Sequence, residues 1–130
     1  MRPRALIVDD EKAFADILAE LLEDEGYVVL RARDGVSAIQ LLAASGSSID
    51  LMLCDVMLPG MRGDQVAAEV RRLFPGRRLP IILLSASADP RITLRDVWFL
   101  CKPLEISQLM SLLEDLVPRG QSAARTLQER

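Results

Sequence analysis

What most limits how this chain can fold is a repeating order. Short apolar runs, each closed by polar residues, alternate with stretches of helical spacing. Residues 5–8 are apolar and end at Asp9-Asp10-Glu11. Residues 12–25 place Phe14, Ile17, Leu18, Leu21 and Leu22 at i, i+3, i+4, i+7 and i+8, the stripe of an amphipathic helix closed by Gly26. Residues 27–32 are β-rich; Asp34, a candidate N-cap, then opens a second helix through Ile39, Leu41 and Leu42 that stops at Ser45-Gly46. Residues 51–54 form a third strand, and residues 66–74 lie on a third helix stopped by Pro75-Gly76. Residues 81–84 and 97–101 read as strands ending at Ser85 and at Lys102-Pro103, and Ile106, Leu109, Met110, Leu113 and Leu116 mark a last helix. Strands alternating with helices mean a parallel sheet with right-handed crossovers and helices on both faces. Strands covered on both faces read as continuous apolar runs, as these do.

At 130 residues the chain is one α/β domain, with no internal repeat and no low-complexity segment. The domain is expected over residues 4–117, with residues 118–130 a polar, Arg-rich tail. The net charge is −3 and the basic residues are scattered, which argues against nucleic-acid binding. No apolar run approaches the roughly 20 residues that cross a bilayer, and the N-terminus is no secretory signal, so a cytoplasmic location is expected. Cys54 and Cys101 both fall in strands expected to be buried, as reduced small hydrophobes rather than a disulfide. There is no histidine, which excludes His-based metal sites, Ser-His triads and a phosphohistidine carried by this chain.

Asp55 poses the sharpest question, because it ends the run Leu51-Met52-Leu53-Cys54 with no cationic neighbour in sequence. An ionised carboxylate leaving water is costly unless something compensates. Asp9-Asp10, Asp55, Ser85 and Lys102 each stand at the C-terminal end of a different strand, the edge where open parallel sheets bind ligands. Folding would gather three carboxylates, a hydroxyl and an ammonium there. Like charges so close need relief, and an all-oxygen acidic site suits Mg²⁺ or Mn²⁺ far better than zinc. With such an ion present, Asp55 becomes available as a nucleophile toward phosphorus. Lys102 fits as the compact cation that phosphoryl transfer needs. With 14 arginines and only two lysines in the chain, a lysine at this place points to a specific use. Single residues keep simpler readings: Asp9 or Asp10 capping the first helix, Ser85 bonding backbone, Phe99 serving as core.

VDDE near the N-terminus, DVMLPGMRG around Asp55, Ser85-Ala86 and Lys102-Pro103 resemble the receiver domain of two-component response regulators. The resemblance implies a flavodoxin-like, doubly wound five-stranded sheet of order 2-1-3-4-5. It implies that Asp55 is the phosphoacceptor, Asp10 a direct metal ligand, Asp9 its acidic partner and the Met57 carbonyl a further metal contact. Ser85 and Lys102 would bind the phosphoryl group, and Ala86 would leave it room. Pro103 would follow a cis bond, Phe99 would be the switch aromatic, and Gly60 and Gly63 the turn glycines. The implied donor is a histidine kinase or histidine phosphotransfer protein, with an unknown downstream protein as target, and the implied state is a monomer or weak dimer. Catalysis would be self-directed only: taking a phosphoryl group and slowly hydrolysing it.

One stretch departs from that pattern. Of the 16 residues between Ser85 and Lys102, 11 remain for a crossover once the strand is assigned, and Arg95-Asp96 stands where Gly-Ala is common in the family. The helix opened by Asp89-Pro90 is therefore expected to be shortened or irregular, with Trp98 covering the gap or facing a partner. The functional expectations are a stand-alone receiver, favoured by the Met start and the short tail, or a receiver cut from a hybrid kinase or regulator. A constitutive interaction module with a vestigial acidic pocket is the alternative of another class. An aspartate-nucleophile phosphatase is discounted, because Met57 stands where its second acid would be.

Overall fold

The apolar runs become strands and the periodic stretches become helices in the computed structural model, which describes residues 2–45, 48–86 and 94–117. In chain order the elements are β1 (Arg4–Val8), α1 (Lys12–Asp24), β2 (Val28–Ala32), α2 (Gly35–Ser45), β3 (Leu51–Asp55), α3 (Gly63–Leu73), β4 (Ile81–Ser85), β5 (Val97–Cys101) and α4 (Ile106–Leu116). All strand pairings are parallel, in the order β2-β1-β3-β4-β5. This is the doubly wound, flavodoxin-like order, with its switch point between β1 and β3.

Alternation along each strand builds two cores. Leu6, Met52, Cys54, Ile81 and Leu83 face one side, under Ala38 and Leu42 of α2 and Val66, Ala67 and Val70 of α3. Ile7, Leu51, Leu53, Ile82 and Leu84 face the other, under Leu18 and Leu22 of α1 and Leu109 and Leu113 of α4. Past Arg4, the half-buried first residue of β1, the strands β1, β3 and β4 are buried on both faces, and their runs carry no polar residue until they end. The edge strand β5 differs: Val97 to Leu100 are only half-buried and Cys101 is exposed. The expectation of two buried cysteines thus holds for Cys54 alone. An edge strand has a neighbour on one side only, and Cys101 is its last residue.

Local chemistry sets the ends. Asp34 caps α2, its Oδ1 accepting from the Ser37 N–H at 2.8 Å. The Gln65 side chain accepts from the Arg62 N–H at 2.9 Å at the start of α3. Between β4 and β5, the shortened or irregular helix expected from Asp89-Pro90 toward Asp96 falls mostly on residues 87–93, outside the described residues. The end of that crossover is described: Leu94 packs on the first core, and Asp96 takes a left-handed conformation at φ 58°, which aspartate tolerates better than most residues. Its carbonyl accepts from the Ile81 N–H at 3.0 Å and from the Arg71 guanidinium at 2.9 Å.

Two glycines shape the loop from β3 to α3. Gly60 has φ +77°, and Gly63 runs so close to the Asp55 carbonyl that a Cβ would overlap it. The Gly63 N–H donates to the Val56 carbonyl at 2.9 Å, holding α3 against the end of β3. Gly63→Ala should therefore cost about 2 kcal/mol. Gly76→Ala, where the added carbon meets nothing within 4 Å, should leave stability nearly unchanged. Thermal melts of the two variants check this pair.

Candidate functional site

Register assembles the site. Val8 pairs with Cys54, so the next residue, Asp9, stands beside Asp55. Asp55 pairs with Leu84, and Ser85, one step further, pairs with Cys101. Lys102 follows Cys101, and its N–H extends the ladder to the Ser85 carbonyl at 2.8 Å. Four adjacent strands thus end in a stepped row of functional groups.

Carboxylate oxygens of Asp9, Asp10 and Asp55 lie within 4.8 Å of one another. Asp9 and Asp55 are buried, and Asp10 is exposed at the rim. Lys102 Nζ is 3.5 Å from Asp55 Oδ1 and 4.4 Å from the centre of the Phe14 ring. Asp55 Oδ1 also accepts from the Met57 N–H at 3.3 Å, and the Met57 side chain is exposed. Asp9 Oδ1 accepts from the Glu11 N–H at 2.8 Å, so Asp9 steadies the entry to α1 as well as facing Asp55. Ser85 is buried and Ala86 exposed at the end of β4, and Phe99 is half-buried against the first core. The Lys102–Pro103 bond is cis. Beside the acids opens a cleft of about 420 Å³ whose walls include Lys12, Arg31 and Arg33.

Charge decides what the site can hold. Three carboxylates against one ammonium leave two negative charges uncompensated among the described residues. At this spacing each like-charge pair costs about 3 kcal/mol for an effective dielectric near 20. Asp9 Oδ2 is buried without a hydrogen-bond partner among the described residues. Burial chiefly, and then the charge of Asp55, raises the Asp9 pKa, with the Glu11 N–H pulling it back. An all-oxygen donor set with an orphaned buried carboxylate oxygen fits a hard divalent cation such as Mg²⁺. Burial also pushes the Cys54 thiol up, so this neighbour stays protonated and is no ligand.

Sequence reading missed Phe14 as a partner of Lys102. The aromatic was assigned to the apolar stripe of α1, and no spacing rule links position 14 to position 102; only the fold brings the ring beneath the ammonium.

The family model described as "Response regulator receiver domain" matches residues 5–114. The chain is 31% identical over 118 residues to the transcriptional regulatory protein YbdJ of Bacillus subtilis (strain 168), covering 88% of this chain and 50% of YbdJ. It thus spans half the length of that relative. Among solved structures, the response regulator TrrA from Thermotoga maritima, in complex with Mg²⁺-BeF, is 30% identical with a TM-score of 0.77, covering 88% of this chain and 99% of that one. The signal receiver domain of a signal transduction histidine kinase from Syntrophus aciditrophicus is also 30% identical with a TM-score of 0.77, covering 89% and 90%.

The raised Asp9 pKa sets a pH dependence. Below about pH 4 the carboxyl is neutral in both folded and unfolded chains and costs nothing. Its cost appears as pH rises through the higher folded-state value. In metal-free buffer Asp9→Asn should therefore raise stability at pH 7 and leave it nearly unchanged near pH 3. Urea melts at the two pH values measure the difference.

Proposed function

The chain belongs to the response regulator receiver domain family, and from that premise we propose that it takes a phosphoryl group on Asp55 from a histidine kinase or histidine phosphotransfer protein. The receiver unit spans residues 4–117 and works in the cytoplasm, where such donors act. The observation that carries this reading is the cluster of Asp9, Asp10 and Asp55 within 4.8 Å, with the Lys102 ammonium 3.5 Å from the Asp55 oxygen.

In the transfer, an Asp55 carboxylate oxygen forms the new P–O bond while the donor's P–N bond breaks, its electron pair leaving with the imidazole nitrogen. The donor imidazole lies outside these 130 residues, which contain no histidine. Asp9, Asp10, Asp55 and the Met57 carbonyl would hold Mg²⁺. When bound, the ion supplies positive charge to the phosphoryl oxygens and relieves the repulsion among the acids. Lys102 exchanges its contact with Asp55 for one with the new phosphoryl group, guided by the Phe14 ring below it. The Ser85 hydroxyl donates to a phosphoryl oxygen, and Ala86, small and exposed, leaves the approach open.

The readout follows from the same residues. The phosphorylated side chain carries nearly two negative charges where Asp55 had one, and Ser85 and Lys102 move toward it. Both sit at ends of the β4–β5 pair, so the change reaches β5 and Phe99, half-buried and able to repack. A shift between two conformers of this region would alter what a downstream protein binds.

Intact mass after incubation with a small-molecule phosphodonor and Mg²⁺ tests the proposal. Wild type should gain the mass of one phosphoryl group, lose it slowly, and gain none in EDTA. Asp55→Asn should gain none. An unmodified wild type would favour a constitutive interaction module, and an equal adduct on Asp55→Asn would place the chemistry elsewhere.

A further inference from the structure

At the sheet edge opposite Asp55, where β4 and β5 begin, the chain carries a second concave site of opposite charge. Arg71, Arg77, Arg78 and Arg95 line a cleft of about 460 Å³ together with Pro75, Gly76 and Asp96. In a chain of net charge −3, four guanidinium groups against one carboxylate leave three positive charges in this one hollow.

The two inner arginines are held in place by backbone oxygens. Arg71 donates to the carbonyls of Leu79 at 2.6 Å, Arg95 at 2.9 Å and Asp96 at 2.9 Å. Arg77 donates to the Leu42 carbonyl at 3.2 Å and lies over the Phe74 ring. These contacts fix the forks without neutralising them: none of the four cations has a carboxylate in ion-pair range among the described residues. Burial lowers the Arg71 pKa, and Asp96 offsets this while Arg95 adds to it. Arg78 and Arg95 are exposed at the mouth. A half-buried guanidinium left without an anion, backed by two exposed ones, is an arrangement that an anionic ligand would complete.

We propose that this arginine-lined cleft binds a small anion bearing two or more phosphate groups. A single phosphate brings roughly two negative charges at neutral pH, too few to match three, whereas linked phosphates meet or exceed them. The planar forks match phosphate oxygens in bidentate fashion. The volume lies in the range of small-molecule pockets, and the hollow is too small and too isolated for a long nucleic acid on an otherwise acidic chain. The site lies at the far edge from the acidic cluster, and its occupancy does not depend on phosphorylation of Asp55.

Isothermal titration of the full chain with inorganic pyrophosphate and, separately, with ATP tests this, in EDTA and about 0.15 M salt so that diffuse attraction is screened. Saturable one-to-one binding is expected, at least about tenfold weaker in Arg78→Gln and weaker still in Arg78→Gln/Arg95→Gln. Asp55→Asn should bind as wild type does. Equal affinity for the two probes would assign the phosphate chain as the recognised group; tighter ATP binding would assign a nucleotide. Absence of saturable binding, affinity unchanged in the double variant with its melting temperature intact, or citrate binding as tightly as pyrophosphate would each overturn the proposal.

Discussion

Repulsion among three carboxylates is the constraint on which the rest of the structure depends. Asp9 and Asp55 stand at the ends of adjacent β1 and β3, and neither can retreat, because the residues before them are fully buried on both faces of the sheet. The cores under α2 and α3 and under α1 and α4 therefore bear the cost of holding these acids together. Burial of apolar area at about 25 cal/mol per Å² is what opposes a repulsion of several kcal/mol. Lys102 offsets part of it and leaves a site poised to gain free energy from any suitably placed positive charge. A fold that stores this tension at one sheet edge can be switched by a small chemical change there.

Much of this was legible in the residues, for a physical reason. Strands covered on both faces must be apolar throughout, so a lone Asp55 after Leu51–Cys54 marks both the end of a strand and the edge where the acid cluster forms. Helix spacing located α1 and α4 within a residue or two, because a stripe facing the sheet must repeat every 3.6 residues. The parallel order β2-β1-β3-β4-β5 then brings Asp9, Asp55, Ser85 and Lys102 side by side.

What escaped sequence reading depends on contacts between distant elements. Phe14 beneath Lys102 joins α1 to the end of β5, and in sequence it was one apolar residue among five. Arg71 ties α3 to the carbonyls before β4 and β5, a latch invisible to any local pattern because its acceptors are backbone atoms. Cys101 sits in an apolar run yet is exposed, since the last position of an edge strand lacks a covering neighbour. The close approach of Gly63 to Asp55 shows why a turn glycine is needed there: the backbone itself occupies the space a side chain would take.

The two sheet edges thus carry opposite charges, an acidic one where the strands end and a basic one where β4 and β5 begin. The central claim concerns the first, that the acid cluster is strained until a divalent cation enters it. Thermal unfolding of wild type in EDTA, followed by titration with MgCl₂ against NaCl of equal ionic strength, tests that claim most directly. At roughly 100 times the dissociation constant, Mg²⁺ should add about 2.7 kcal/mol and raise the midpoint by several degrees. A midpoint that moves no further with MgCl₂ than with NaCl would contradict the account.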